Sequence, residues 1–599
     1  MNLPFWDDFS FNNSPYYANE TLWENSKSVW VNNGVGINPP SLKVATFDGL
    51  DSLGRPYSVT DVSAKGYADR MTSRSLQMDL ITGSQRDSAF IFFMYQYQGF
   101  AEAPDPGDEL SLWFKDNKKT WRSVWSITYD SLSNDSVFIP VKIPITDPDS
   151  ATYFFDQFQF QFRNYGRLSG PFDGWNLDYV YVSNGRKQYS PIYDDFPDRT
   201  ISTPLTSLFK QYRSMPVKHF LEDPTQQLAP PALGVNNLRS DKIQSITFNS
   251  RYKITARVSK TVTSTDTITL DLGVPGANNS VYPYQPRVFA LETLPNVSGI
   301  DPKADSIAIQ IQANIQSGDN EIKRKELEGG VLKDKGDYDT AVYKNIKFTW
   351  NDTTTVNYIL HNYYAYDDGE AEYAASLTNP GNKVLYRYDL KYSQPDTLIA
   401  VDIYFTHSGD ESSQVIKLLV MDSLRDDLTQ FYLPQDVVVT RTEHNKFTRI
   451  ALSPAVLVSD HFYIGWQQNT FATIGVGLDY SSNSANKIFV NFSGAWVPNQ
   501  DVQGNIMIRP VFGNGPLVVT AVEPEKKVHV YPNPNQGSFY LEGSPSQIQV
   551  TDLAGQPVPF SQENGFEKTQ IQLSKINPGL YVLRYFDGNW RTEKIMVLP

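Results

Sequence analysis

The side chains able to do chemistry in this 599-residue chain are overwhelmingly carboxylates. There are 66 aspartates and glutamates against 52 lysines and arginines, and no cysteine, so disulfides, thiolate metal sites and a cysteine nucleophile are excluded. The histidines, His219, His361, His407, His444, His461 and His529, are scattered, with no H-E-x-x-H and no paired spacing for zinc. No G-x-S-x-G nucleophile elbow and no phosphate-binding loop occurs. Gly475 and Gly477 lack the third glycine and the following helix of a dinucleotide fingerprint. Carboxylates can hold calcium, which takes six to eight oxygens at about 2.3 to 2.6 Å, or they can work as a facing pair in glycoside cleavage. Asp48, in the turn Ala45-Thr46-Phe47-Asp48-Gly49, is a candidate calcium ligand because a backbone carbonyl of the same turn can join it. Catalytic groups converge from distant segments, so a missing motif does not exclude a hydrolase.

Strands must position these groups. Hydrophobic content of 40% with 13% aromatics is ample for packed cores, and short alternating runs rich in Tyr, Phe, Val, Ile and Thr predict an all-β, multidomain chain. Residues 1–190 read as one domain, in which Phe158, Phe160 and Phe162 alternate with glutamines and mark a core face. Residues 191–239 read as a linker with a short helix, carried by Leu205, Leu208, Phe209 and Tyr212 and stopped at Met215-Pro216. Residues 240–350 read as an immunoglobulin-like β-sandwich, with Lys323-Arg324-Lys325-Glu326-Leu327-Glu328 as a solvated loop of mixed sign. Tyr16, Tyr17, Trp23 and Trp30, or Trp113, Trp121 and Trp125, offer rings on which a glycan could stack, although rings in sandwich strands are more often core.

The run Phe172-Asp173-Gly174-Trp175-Asn176-Leu177-Asp178, with Phe160-Gln161-Phe162-Arg163-Asn164-Tyr165-Gly166 and the opening Trp6-Asp7-Asp8-Phe9-Ser10, resembles MAM-like and carbohydrate-binding jelly rolls. The resemblance implies a jelly-roll β-sandwich over 1–190 whose first and last strands are neighbours. In that arrangement Asp7 or Asp8 meets Asp178, and with Asp48 these are the expected ligands of a structural Ca²⁺. Residues 358–515 are similar to a second jelly-roll β-sandwich.

The end of the chain reads Val528-His529-Val530-Tyr531-Pro532-Asn533-Pro534-Asn535-Gln536-Gly537, then a turn Asp552-Leu553-Ala554-Gly555, then Pro578-Gly579-Leu580-Tyr581-Val582-Leu583, then a last strand opened by Lys594. Pro532 and Pro534 remove two backbone donors and place their strand at an edge. In this order the motifs closely resemble the type A C-terminal sorting domain of type IX secretion substrates, over 526–599. The resemblance implies a small immunoglobulin-like address domain read at the outer membrane by translocon, shuttle and sortase components. It assigns the sorting signal to Tyr531, Pro532, Asn533, Pro534, Gly537, Asp552, Gly555, Pro578, Gly579, Tyr581 and Lys594.

A net charge of −14 disfavours a nucleic-acid partner, and no run of eighteen apolar residues can cross a membrane as a helix. The opening Met1-Asn2-Leu3-Pro4 has no leader pattern, so the sequence is expected to be a mature form or one whose leader was replaced. The expectation is a secreted or cell-surface protein whose cargo part binds a glycan or protein ligand, as in adhesion. A structural subunit of an outer-membrane assembly and an extracellular hydrolase stay open beside it. An aromatic groove would favour binding, a flat apolar patch assembly, and carboxylates facing across a cleft hydrolysis.

Overall fold

The computed structural model describes residues 1–11, 16–129, 136–183, 198–238, 244–245, 247–258, 261–270, 280–291, 294–317, 325–328, 331–334, 348–409, 412–424, 434–513, 530–542, 546–564, 568–574, 576–586 and 590–599. They separate into two compact units, one within 1–513 and one within 530–599. Strand makes up 50% of the chain and helix 6%, so the fold is all-β, a set of antiparallel β-sandwiches. No helix among the described residues is long and apolar enough to cross a membrane.

The first sandwich packs two sheets. One has the order Trp30–Asn32, Val44–Phe47, Trp175–Ser183, Phe90–Tyr97, Ile139–Pro144, and Phe5–Asp7 also pairs with Trp175–Ser183. The facing sheet has the order Lys65–Thr72, Gln159–Arg167, Glu109–Lys115, Trp121–Thr128. Trp175–Ser183 is buried along its whole length because it has strands on both sides and a sheet across the core. Phe158, Phe160 and Phe162 fill that core, each worth about 1.5–3 kcal/mol of apolar burial. Between them, Gln159 and Gln161 turn the other way and donate to Ser73 O and Thr72 Oγ1. The register Phe5 to Val182 brings the first described strand beside Trp175–Ser183.

The segment after it differs from the helical spacing. Leu205, Leu208, Phe209 and Tyr212 are all buried, but in irregular backbone, and the helix comes one step later at Val217–Glu222, with Pro216 as its N-cap. Proline cannot donate inside a helix but is tolerated at its start, so Met215-Pro216 opens the helix instead of stopping one. Beyond it, Thr261–Leu270, Thr247–Val258, Ser306–Gln316 and Thr353–Leu360 form a four-stranded sheet in that order. Ile307, Ile309, Ile311, Ala313 and Ile315 alternate inward. The charged stretch at 323–328 departs from a loop: Lys325–Glu328 is a strand paired with Val331–Asp334, while residues 323 and 324 lie outside the described residues.

The last sandwich of this unit has a six-stranded sheet running Gln435–Val438, Val415–Met421, His461–Gln467, Lys383–Asp389, Ile488–Asn491, Val497–Pro498. Smaller sheets are built on Ile474–Asp479 and on Asp396–Ile403. One apolar cluster runs without a break from Ile201 and Tyr252 through Tyr364 to Phe512. The sheet at 247–360 and the last sandwich therefore share a core.

The second unit has two sheets, Val530–Tyr531, Ser538–Glu542, Lys568–Leu573, Phe560–Asn564 and Ser546–Thr551, Gly579–Phe586, Trp590–Val597. Phe539, Leu541, Val550, Ile571, Leu583 and Tyr585 make its core. Among the described strands Val530–Tyr531 pairs with Ser538–Glu542 alone, so it is an edge, and Pro532 and Pro534 follow it in a bend.

Candidate functional site

In the second unit the predicted sorting residues are turns and edges around that small core. Tyr531, Pro532, Asn533 and Pro534 are exposed. The Asn533 side chain donates to Lys594 O at 2.6 Å and accepts from Met596 N at 2.9 Å, which ties the edge to the last strand. Gly537, with φ +91°, receives the Asn535 side chain on its N–H at 2.7 Å. Asp552 Oδ1 accepts from Ala554 N and Gln556 N, both at 2.9 Å, and Gly555 sits at φ +79° in the same turn. Pro578 and Gly579 lead into Gly579–Phe586, whose Tyr581 is buried and donates to Asn577 O at 2.8 Å. The Lys594 side chain is exposed. His529 lies outside the described residues.

In the first unit the four candidate calcium ligands separate. Both Asp7 oxygens are filled, one by Phe9 N at 2.9 Å and one by Trp23 Nε1 at 2.7 Å. Asp48 accepts from Leu50 N at 3.0 Å, and its carboxylate neighbours are Asp51 and Asp69. Burial and the proximity of Asp48 push Asp69 well above the usual carboxylate range. Asp8 and Asp178 do come together: Ser41 Oγ donates to Asp8 O at 2.8 Å and to Asp178 Oδ1 at 3.1 Å. Asp105, Asp108 and Asp173 form a triad not foreseen from the sequence, with ligand atoms within 4.8 Å of one another. Lys65 reaches Asp108 at 2.9 Å and Arg167 reaches Asp105 at 2.6 Å, so cations of the chain already occupy it.

An open cleft with a cavity volume of about 70 Å³ lies where the first sandwich meets the last sandwich of this unit. The first sandwich contributes Tyr17, Trp30 and Asp48; the other contributes Glu372, Tyr373, Tyr404 and His444. Two close approaches define it: the Tyr373 hydroxyl donates to Pro171 O at 2.8 Å, and a Cβ at Gly34 would meet Glu372 Cγ at 2.5 Å. Only glycine fits at position 34 with Glu372 placed there. Trp30, Tyr16 and His444 form a three-ring cluster, with Tyr16 stacked on Trp30 at 5.2 Å, His444 tilted against Trp30 at 4.5 Å, and Tyr16 and His444 5.6 Å apart. Trp30 Nε1 and His444 Nε2 are buried polar atoms with no hydrogen-bond partner. Burial, with His407 nearby, pushes the His444 imidazole down to about 4, so it is neutral at physiological pH. Burial, with Asp479 and Asp368 close, pushes Glu372 well above the usual range. Of the rings read from the sequence, Trp23 is fully buried, while Trp113 lies under the Arg163 guanidinium at 4.2 Å. The cleft was not foreseen, because Tyr17 and His444 are brought together only by the packing of two sandwiches.

His219 forms a second arrangement that the sequence did not reveal. Its Nε2 meets Asp396 Oδ2 and its Nδ1 meets the Tyr364 hydroxyl, both at 2.8 Å, in the core. Both ring nitrogens are engaged, and His219 and Tyr364 are fully buried, so the group ties Asp396 into the core.

No curated protein matches the chain. A Bacteroides fragilis structure described as a beta-galactosidase is similar at 8% identity and a TM-score of 0.14, over 55% of this chain and 36% of that one. The chain thus spans about a third of that protein. The BSP domain of a biofilm associated protein is similar at 8% identity and a TM-score of 0.13, over 94% of this chain and 97% of that one. Scores this low carry no argument about fold or function. The second unit does have a family: residues 529–598 match the secretion system C-terminal sorting domain, and this type IX sorting tail, a contact for the secretion machinery, marks the chain as cargo for the cell surface or exterior.

Proposed function

We propose that this cargo is a binding protein whose cleft takes a carbohydrate outside the cell. The observation that carries the reading is the set of rings, Tyr17, Trp30, Tyr373, Tyr404 and His444, that lines one cleft. A sugar ring has apolar C–H faces that pack on aromatic rings, and each of its hydroxyls can both donate and accept. The test is affinity electrophoresis of the full chain in gels containing soluble polysaccharides, with Trp30→Ala and His444→Ala beside it. Each substitution is expected to weaken retention by about tenfold or more, equivalent to about 1.4 kcal/mol, with little change in Tm. Unchanged retention in both variants would rule the cleft out.

A second reading, hydrolysis, is favoured by one observation: Asp48 and Glu372 line the same cleft from different sandwiches. Burial raises both carboxyls, as a general acid at neutral pH requires. Release of aryl alcohol from aryl glycosides, lost in Glu372→Gln and Asp48→Asn, would establish it; no release from any of them would leave binding alone.

A further inference from the structure

We infer that Asp8, Asp198 and Asn351 hold a divalent cation of the calcium class, which fastens the first strand of the chain to the turn ahead of Thr353–Leu360. Asp8 is 2% exposed, and Asp198 and Asn351 are 0% exposed. The Asn351 amide is inserted between the two carboxylates, its Nδ2 donating to Asp8 Oδ2 at 2.8 Å and to Asp198 Oδ2 at 2.7 Å. Asp178 and Asp352, also buried, flank them. None of the described ion pairs reaches Asp8, Asp178 or Asp198. Arg199 acts on Asp352.

The second observation is independent of the charges. Asp198 Oδ1, Asn351 Oδ1 and Asp352 Oδ1 are buried oxygens with no hydrogen-bond partner. All three are acceptors left over after Tyr179 Oη and Asn351 Nδ2 have served Asp198 and Ser317 Oγ has served Asp352.

A buried carboxylate without a cation either takes a proton or binds a metal. A cation beside Asp198 supplies what its unpaired Oδ1 lacks. Half a turn of the Asn351 amide puts Oδ1 where Nδ2 stands, between Asp8 and Asp198. Carboxylate and amide oxygens in an irregular array suit Ca²⁺ better than Mg²⁺, which demands a near-ideal octahedron.

The experiment is calorimetric titration of the EDTA-stripped full chain with CaCl₂ and, separately, MgCl₂, paired with thermal unfolding in both states. Expected is saturable calcium binding with a rise in Tm, weak or absent for magnesium. Asp198→Asn is expected to weaken binding by at least about tenfold. Asn351→Asp, which adds a charge, is expected to melt lower in EDTA and to bind calcium more tightly. This second variant keeps the test decisive if Asp198→Asn does not fold. An Asp105→Asn, Asp108→Asn double variant is expected to bind as before. Three results would overturn the proposal: no calcium heat, an Asp198→Asn chain that melts higher with calcium making no difference to either protein, or binding lost only in the double variant.

Discussion

The two units place their functional residues in opposite ways. In the sorting tail most of them lie in turns and at strand ends near the surface, and several are held by a partner a few residues away or on the adjacent strand, as Asp552 is by Ala554 N and Asn533 by Lys594 O. In the large unit the cleft joins Tyr17 and Trp30 to Tyr404 and His444 across more than 370 residues of chain, and its groups are half-buried or buried. An address read by general machinery can be written in local turn chemistry, whereas a cleft for one ligand needs walls that only packed sheets provide.

That contrast can be broken most decisively by truncation. A chain ending at Gly513 is expected to lose export altogether, measured as protein in the outer-membrane and medium fractions, while the Tm of its remaining unit moves by no more than roughly 2 °C. Export of the truncated chain would place a second address in the large unit. Next in size, Phe539→Ala should destabilise the small unit by about 3–5 kcal/mol in denaturant unfolding of the full chain, with the transition of the large unit unmoved.

His444 sharpens the other side of the contrast. Its folded pKa of about 4 lies below the unfolded value of 6.5, so between those values the unfolded chain binds a proton that the native one refuses. Its contribution to stability is therefore present above 6.5 and lost as pH falls towards 4. The loss is at most roughly 3 kcal/mol. His444→Gln should flatten that part of the pH profile of the urea midpoint. The smallest stability effect is expected at Lys594, whose side chain is exposed: Lys594→Ala should change unfolding free energy by less than about 0.5 kcal/mol and still reduce export. A variant as well exported as wild type would remove Lys594 from the address.

Strand content was legible because period-two alternation reports directly which face is buried, as at Phe158, Phe160 and Phe162 or Ile307, Ile309 and Ile311. The helix near 217 was misplaced because Leu205, Leu208 and Tyr212 have helical spacing for another reason, the irregular backbone that tucks them into a shared core. Among the aspartates, sequence could not separate Asp7, whose oxygens are consumed by Phe9 N and Trp23 Nε1, from its neighbour Asp8, which faces Asn351.

The sequence by itself determined the all-β class and the sorting tail, since alternation, prolines at an edge and glycines in turns act on residues near one another in the chain. Tertiary structure alone decided which rings line a cleft, which aspartates are left with unpartnered oxygens, and that Gly34 must yield to Glu372. Those outcomes depend on desolvation and on contacts between residues hundreds of positions apart, and neither is fixed until the sheets have packed.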